Sequence, residues 1–88
     1  MQPTLILLIH CPDREGLVAS VTSLIRKVHG NIVDLDQHVD AERGVFFMRV
    51  EWTPPAAPDI VQRFEEAFAR EVAGPYEMRW RLEQTSRR

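Results

Sequence analysis

The sequence has one cysteine, Cys11, and one lysine, Lys27, among 88 residues, and its longest apolar run is Leu5–Ile9. A single cysteine excludes an intrachain disulfide and suits a reducing compartment. The short apolar run, with no charged segment before it, excludes a membrane helix and a secretory leader. No excess of positive charge exists either: 11 basic residues face 13 acidic ones, for a net charge of −2. A general nucleic-acid or anionic-membrane partner would demand the opposite balance. Length excludes a cleft between two lobes and a doubly wound nucleotide-binding domain. With hydrophobic residues at 44% and charged residues at 27%, the chain reads as one soluble, cytoplasmic domain with a modest core.

Catalytic and metal motifs are equally scarce. There is no G-x-G-x-x-G, Walker, G-x-S-x-G, H-x-x-x-H or C-x-x-C pattern. His10, His29 and His38 are scattered, and Cys11 and His10, as neighbours on a strand, point to opposite faces. Asp34, Asp36, His38 and Asp40 line one face of an extended segment, where a solvated face or partners for Arg49 suit the spacing better than a cation site. Phe47 is an aromatic on a sheet face, but its acidic neighbours are wrong for RNA stacking. No catalytic residue, metal or cofactor is expected.

What is present is a clear alternation of periods. Leu5–Ile9 is apolar on both faces and reads as a central strand. Leu17, Val21, Leu24 and Val28 then recur at helical spacing, with Gly30 placed for a left-handed C-terminal cap. Residues 31–40 and 45–52 alternate around a turn at Ala41–Gly44 and form a hairpin. Pairing Asp40 with Val45 unites the apolar sets and sets Asp36 opposite Arg49. After a proline-rich loop, Asp59 stands at the N-cap of a second helix carried by Ile60, Phe64, Phe68 and Val72 and ending at Gly74-Pro75. Tyr76, Met78, Trp80 and Leu82 alternate as a last strand.

The order β-α-β-β-α-β predicts an α+β, ferredoxin-like sandwich over residues 1–82, a four-stranded antiparallel sheet with two helices on one face. Residues 83–88 then form a polar tail or the start of a linker. The second and fourth strands are outermost. The other sheet face carries Ile6, Leu8, Ile32 and Phe47 and needs a cover, which for this chain alone means self-association into a dimer or larger.

One loop stands out for binding. Cys11–Leu17 joins the central strand to a helix N-terminus, whose first amides lack partners. Gly16 permits close backbone approach, Asp13 accepts from an ammonium group, and the helix end favours a carboxylate. These features suit a small zwitterion, but the residues alone favour a helix cap with a tight turn.

Asp13-Arg-Glu-Gly-Leu17, a helix, and then Gly30-Asn-Ile32 opening a second strand resemble the ACT domain, a small-molecule regulatory module. Asn31–Asp40 followed by Gly44–Glu51 is similar, more specifically, to the N-terminal domain of formyltetrahydrofolate deformylases. The resemblance covers about residues 5–82. It implies the βαββαβ fold, pairing into dimers or higher assemblies, and an amino-acid effector near Asp13, Arg14, Glu15, Gly16, Leu17, Asn31 and Ile32, with methionine and glycine as candidates. It also implies a parent enzyme that hydrolyses 10-formyltetrahydrofolate to formate and tetrahydrofolate in one-carbon and purine metabolism. Its catalytic residues would lie in a separate C-terminal domain, Arg87-Arg88 falling where the linker would begin. The 88 residues alone are then inactive. A stand-alone sensor and a purely structural dimerisation domain remain as alternatives.

Overall fold

The computed structural model describes residues 3–85. Strand β1 spans Leu5–Pro12, helix α1 Leu17–Lys27, β2 Asn31–Asp40, β3 Val45–Thr53, helix α2 Ile60–Phe68 and β4 Arg79–Gln84. The four strands form one antiparallel sheet in the order β2-β3-β1-β4. This is the expected sandwich, with β1 and β3 central and β2 and β4 at the edges. None of the described helices is long and apolar enough to cross a membrane.

Alternation decides the core. Leu5, Leu7, Ile9 and Cys11 of β1 and Phe46, Met48, Val50 and Trp52 of β3 are buried on one face, against Leu17, Val21, Leu24 and Ile25 of α1 and Phe64 and Phe68 of α2. An aromatic file runs through it. Trp52 and Phe64 ring centroids lie 4.7 Å apart, Phe64 and Phe68 5.6 Å, and Phe68 meets Trp80 edge-on at 4.8 Å.

The hairpin register is as expected, with Asp40 opposite Val45 and Asp36 opposite Arg49. The ion pairs differ: Arg49 reaches Asp34 at 3.4 Å and Glu51 at 3.8 Å. The register also slips between Ile32 and Asp34. The slip leaves Val33 out of the pairing and turns Ile32 onto the helix-covered face opposite Trp52, away from the open face where strict alternation put it.

Two helix ends also depart from expectation. The left-handed residue closing α1 is His29 (φ 65), not Gly30. His29 N–H donates to the Arg26 carbonyl (2.9 Å) and Gly30 N–H to that of Ile25 (2.8 Å), satisfying two end-of-helix carbonyls. Gly30 is required for another reason: an added Cβ would overlap Trp52 Cε3 and sit 2.8 Å from Ile25 Cγ2. Gly74-Pro75 does not end the second helix. Helix α2 continues through a π-helical turn, Ala69–Ala73, into a last α-turn, Gly74–Tyr76, so Tyr76 is helical and the strand starts at Arg79. A wider turn relieves the crowding that a proline ring imposes on the carbonyl before it. Asp59 holds the N-cap position, but its carboxylate pairs with Arg63 at 3.3 Å instead of capping an amide.

β4 runs to Gln84, and Thr85 N–H bonds the Thr4 carbonyl at 2.9 Å, so residues 83–85 continue the sheet and are not a free tail. The rest of the expected tail, residues 86–88, lies outside the described residues.

The face away from the helices is built of three cross-strand rows. They read His38–Phe47–His10–Arg79, Asp36–Arg49–Leu8–Arg81 and Asp34–Glu51–Ile6–Glu83, each from β2 to β4. Phe47 is 42% exposed there, between the rings of His10 (6.0 Å) and His38 (6.2 Å).

Candidate functional site

The β1–α1 loop is shaped by three backbone features. β1 ends at Pro12, which cannot extend the ladder as a donor. Asp13 N–H then bonds the Gly44 carbonyl at 2.8 Å and ties the loop to the β2–β3 turn. Gly16 enters α1 at φ 84, a left-handed conformation that disfavours any side chain, and its carbonyl accepts the first helical bond, from Ser20 N–H at 2.9 Å. No side chain caps α1. The first-turn amides therefore face an exposed loop that carries Asp13, Arg14, Glu15 and Gly16. Leu17, also expected at the site, is 2% exposed and belongs to the core.

Asn31 and Ile32 are elsewhere. Ile32 pairs with Trp52, which pairs with Leu5 at the start of β1, while the loop follows Pro12 at its end. Seven strand residues at about 3.3 Å each separate the two groups by roughly 23 Å. Within one chain the loop and Asn31 do not form a single site, so the expectation that Asn31 lies near the loop is corrected. Helix α1 runs back along the sheet, and β2 must begin at the opposite end.

The residue that does meet the loop is Tyr76. The Arg14 guanidinium carbon lies 4.9 Å from the Tyr76 ring centroid, and Ser20 Oγ donates to Tyr76 Oη at 2.9 Å. The Tyr76 hydroxyl also stands 3.6 Å from where a Gly16 Cβ would be. The π-helical turn brings Tyr76 here, and the Gly74-Pro75 pair, which reads as a helix stop, hides it from the sequence. Beside this contact, Ser20, Ser23, Lys27 and Glu71 edge a shallow depression of about 270 Å³. Lys27 and Glu71 pair across it at 3.7 Å.

Cys11, just before the loop, is buried. Burial pushes its thiol pKa up, Asp13 adds to the rise and Arg14 opposes it. A raised thiol is a poor nucleophile, which accords with a packing role. Among the described residues, no three His, Cys, Asp or Glu side chains are grouped to hold a metal ion.

Fold and loop together define a ferredoxin-like α+β module that presents an uncapped helix end. The ACT domain family matches residues 5–69, and the chain belongs to that family. A formyltetrahydrofolate deformylase of Corynebacterium sp. (strain P-1) is 34% identical over 77 residues, 88% of this chain and 27% of the relative. The crystal structure of a formyltetrahydrofolate deformylase from Pseudomonas syringae pv. tomato superposes with a TM-score of 0.84 at 35% identity, covering 100% of this chain and 29% of that one. The chain thus spans under a third of the length of these relatives. An ACT domain protein from Streptococcus pneumoniae shares the fold, with a TM-score of 0.76 at 21% identity over 96% of this chain and 91% of its own.

Proposed function

We propose that this chain is the regulatory, amino-acid-binding ACT module of a formyltetrahydrofolate deformylase, working in the cytoplasm as an assembly of two or more copies. In this reading the full-length protein hydrolyses 10-formyltetrahydrofolate to formate and tetrahydrofolate in one-carbon and purine metabolism, and the chemistry is done outside these 88 residues. The observation that carries the reading is the likeness to deformylases over the whole chain at 35% identity. The β1–α1 loop supports an amino acid as the effector. An α-carboxylate suits the uncapped amides of α1, and an ammonium group suits the exposed Asp13 carboxylate. Methionine and glycine are the first candidates.

Titration calorimetry of the 88-residue chain against methionine, glycine and a panel of other amino acids tests this. Binding should be seen for at least one. Asp13→Ala should weaken it by the worth of a charge-assisted hydrogen bond, about 1.5–3 kcal/mol. The absence of heat with every amino acid would refute the effector reading. A second reading, a stand-alone sensor or a structural dimerisation domain, draws support from the pneumococcal protein, which is almost entirely one such fold. A reading frame that continues past Arg88 into a catalytic domain argues for the deformylase; a stop there argues for the second reading.

A further inference from the structure

We propose that the open face of the sheet holds a second small-molecule site, separate from the β1–α1 loop, and that its ligand is a pteroylglutamate. Such a molecule sets an amino-bearing fused ring, a benzoyl ring and a glutamate in line. The choice among ligands of this shape rests on the deformylase reading; the site itself is read from the face.

The face is concave. A depression of about 560 Å³ crosses it from β2 to β4, within the roughly 300–1,000 Å³ of ordinary small-molecule sites. Its floor is aromatic. Phe47 is 42% exposed, and the rings of His10 and His38 flank it at 6.0 and 6.2 Å. Three rings in one cross-strand row make a ledge on which a flat ligand can stack. The two ends carry opposite charge. Asp36 lines the depression from β2 and Arg79 from β4, and neither has an ion-pair partner among the described residues. Arg81 lines it beside Arg79, and its exposed pair with Glu83 (2.9 Å) holds it only weakly. The other acidic residues of this face, Asp34, Glu51 and Glu83, form the next row and do not line the depression.

These features set the ligand. From β2 to β4 is three strand spacings of about 4.8 Å, so a molecule that satisfies both ends spans roughly 14 Å and is flat in the middle. A free amino acid is too short. The end at Asp36 must offer N–H groups to a carboxylate. The end at β4 must be anionic, and Arg79 and Arg81, about 6.7 Å apart along the strand, suit two carboxylates better than one. A pteroylglutamate meets each demand. Its amino group and adjacent ring N–H face Asp36, its rings lie over Phe47 and His10, and its two carboxylates meet Arg79 and Arg81. The substrate and product of the deformylase reaction are of this class, so the module would sense the enzyme's own folate pool through a face that the amino-acid loop does not use.

Folic acid, a stable pteroylglutamate, is the probe, titrated into the 88-residue chain and followed by ¹⁵N–¹H NMR. Saturable shifts should centre on His10, Phe47 and Arg79 and spare Asp13 to Gly16. Phe47→Ala, and separately Arg79→Ala with Arg81→Ala, should each weaken binding by roughly tenfold or more. Asp36→Ala should weaken folic acid similarly but leave N-(4-aminobenzoyl)glutamate, which lacks the fused ring, unaffected. All four side chains are exposed, so far-UV circular dichroism should be unchanged. No saturable shift up to millimolar folic acid overturns the proposal. So do shifts confined to the β1–α1 loop, and so does an affinity indifferent to these changes. None of these results bears on the amino-acid titration or the reading frame, which test the deformylase reading by themselves.

Discussion

Replacing Gly30 by alanine adds a single methyl group where α1 hands over to β2, and the surroundings set its effect. Gly30 lies outside the left-handed region, so alanine meets no backbone penalty there. On that ground alone the change should stabilise by about 0.4–1 kcal/mol, through a less free unfolded chain. Packing opposes it. The new Cβ would overlap Trp52 Cε3 and lie 2.8 Å from Trp52 Cζ3 and Ile25 Cγ2. Neither neighbour can yield cheaply: Trp52 and Ile25 are both 0% exposed, and the Trp52 ring is backed by Phe64 at 4.7 Å. Forcing atoms into a filled core costs about 1–3 kcal/mol, and two rigid neighbours place this site at the upper end. The net effect should be a loss of about 2 kcal/mol, out of a total of the order of 5–13 kcal/mol for a domain this size. The melting temperature should fall by roughly 8–16 °C. Urea unfolding followed by tryptophan fluorescence, with near-ultraviolet circular dichroism to report the Trp52 environment, measures it. Gly44→Ala is the control, because Gly44 has φ +67 with nothing within 4 Å of an added Cβ. It should cost only the left-handed strain, about 1–2 kcal/mol, without changing the tryptophan spectrum. Gly30→Ala as stable as the wild type, or with an unaltered Trp52 signal, would refute the close-packing account of this glycine.

Two further outcomes follow from the same region and from the end of β1. His29 is exposed at φ 65, so His29→Gly should release left-handed strain against a smaller entropic loss and raise stability by about 0.5–1 kcal/mol in urea unfolding; a lower midpoint would refute this. The Cys11 thiol pKa is raised in the folded chain, so the unfolded state gives up its proton first as pH rises. Its contribution to stability is therefore complete below the ordinary thiol range, near ~8.5, and is lost as pH climbs through the raised folded value. Labelling of Cys11 by a thiol reagent should be slow in the native chain at neutral pH and fast in urea, and rapid native labelling would contradict the burial.

Most of the architecture is legible because two periodicities alternate without ambiguity. β1 is apolar on both faces and had to be central. β3 places Phe46, Met48, Val50 and Trp52 at period two, and all four are buried. The turn at Ala41–Gly44 then leaves one hairpin register that unites the apolar faces, and the structure has it. The departures are local, and each arises where backbone geometry overrides side-chain pattern. A one-residue slip at Val33 moves Ile32 across the sheet, and alternation offers no sign of a slip. Gly30 looked like a cap by its position one turn past the helix, but a histidine tolerates the left-handed cap and the glycine makes room for Trp52. Gly-Pro is an ordinary stop signal, and a π-helical turn carries the second helix past it.

The candidate site divides along the same line. Residues contiguous in the chain, Asp13 to Gly16, are necessarily together, and their exposure at an uncapped helix end follows from the strand-to-helix junction. Asn31 and Ile32 were grouped with them by resemblance, a grouping that takes no account of where α1 leads. An 11-residue helix at about 1.5 Å per residue travels some 16 Å back along the sheet. Any strand that follows it within a couple of residues must start at the far end. Tyr76 shows the converse. It is 60 positions from Gly16 in the chain, yet its hydroxyl is held over the loop by Ser20. What brings it there is a change of helical pitch over Ala69–Ala73, and that segment, Ala-Arg-Glu-Val-Ala, reads as ordinary α-helix. The loop's environment therefore depends on a helix irregularity remote in sequence. An effector bound against Arg14 and Gly16 would have to share that space with Tyr76 or displace it, which couples the loop to the segment that leads into β4. β4 is also the strand that carries Arg79 and Arg81 onto the open face.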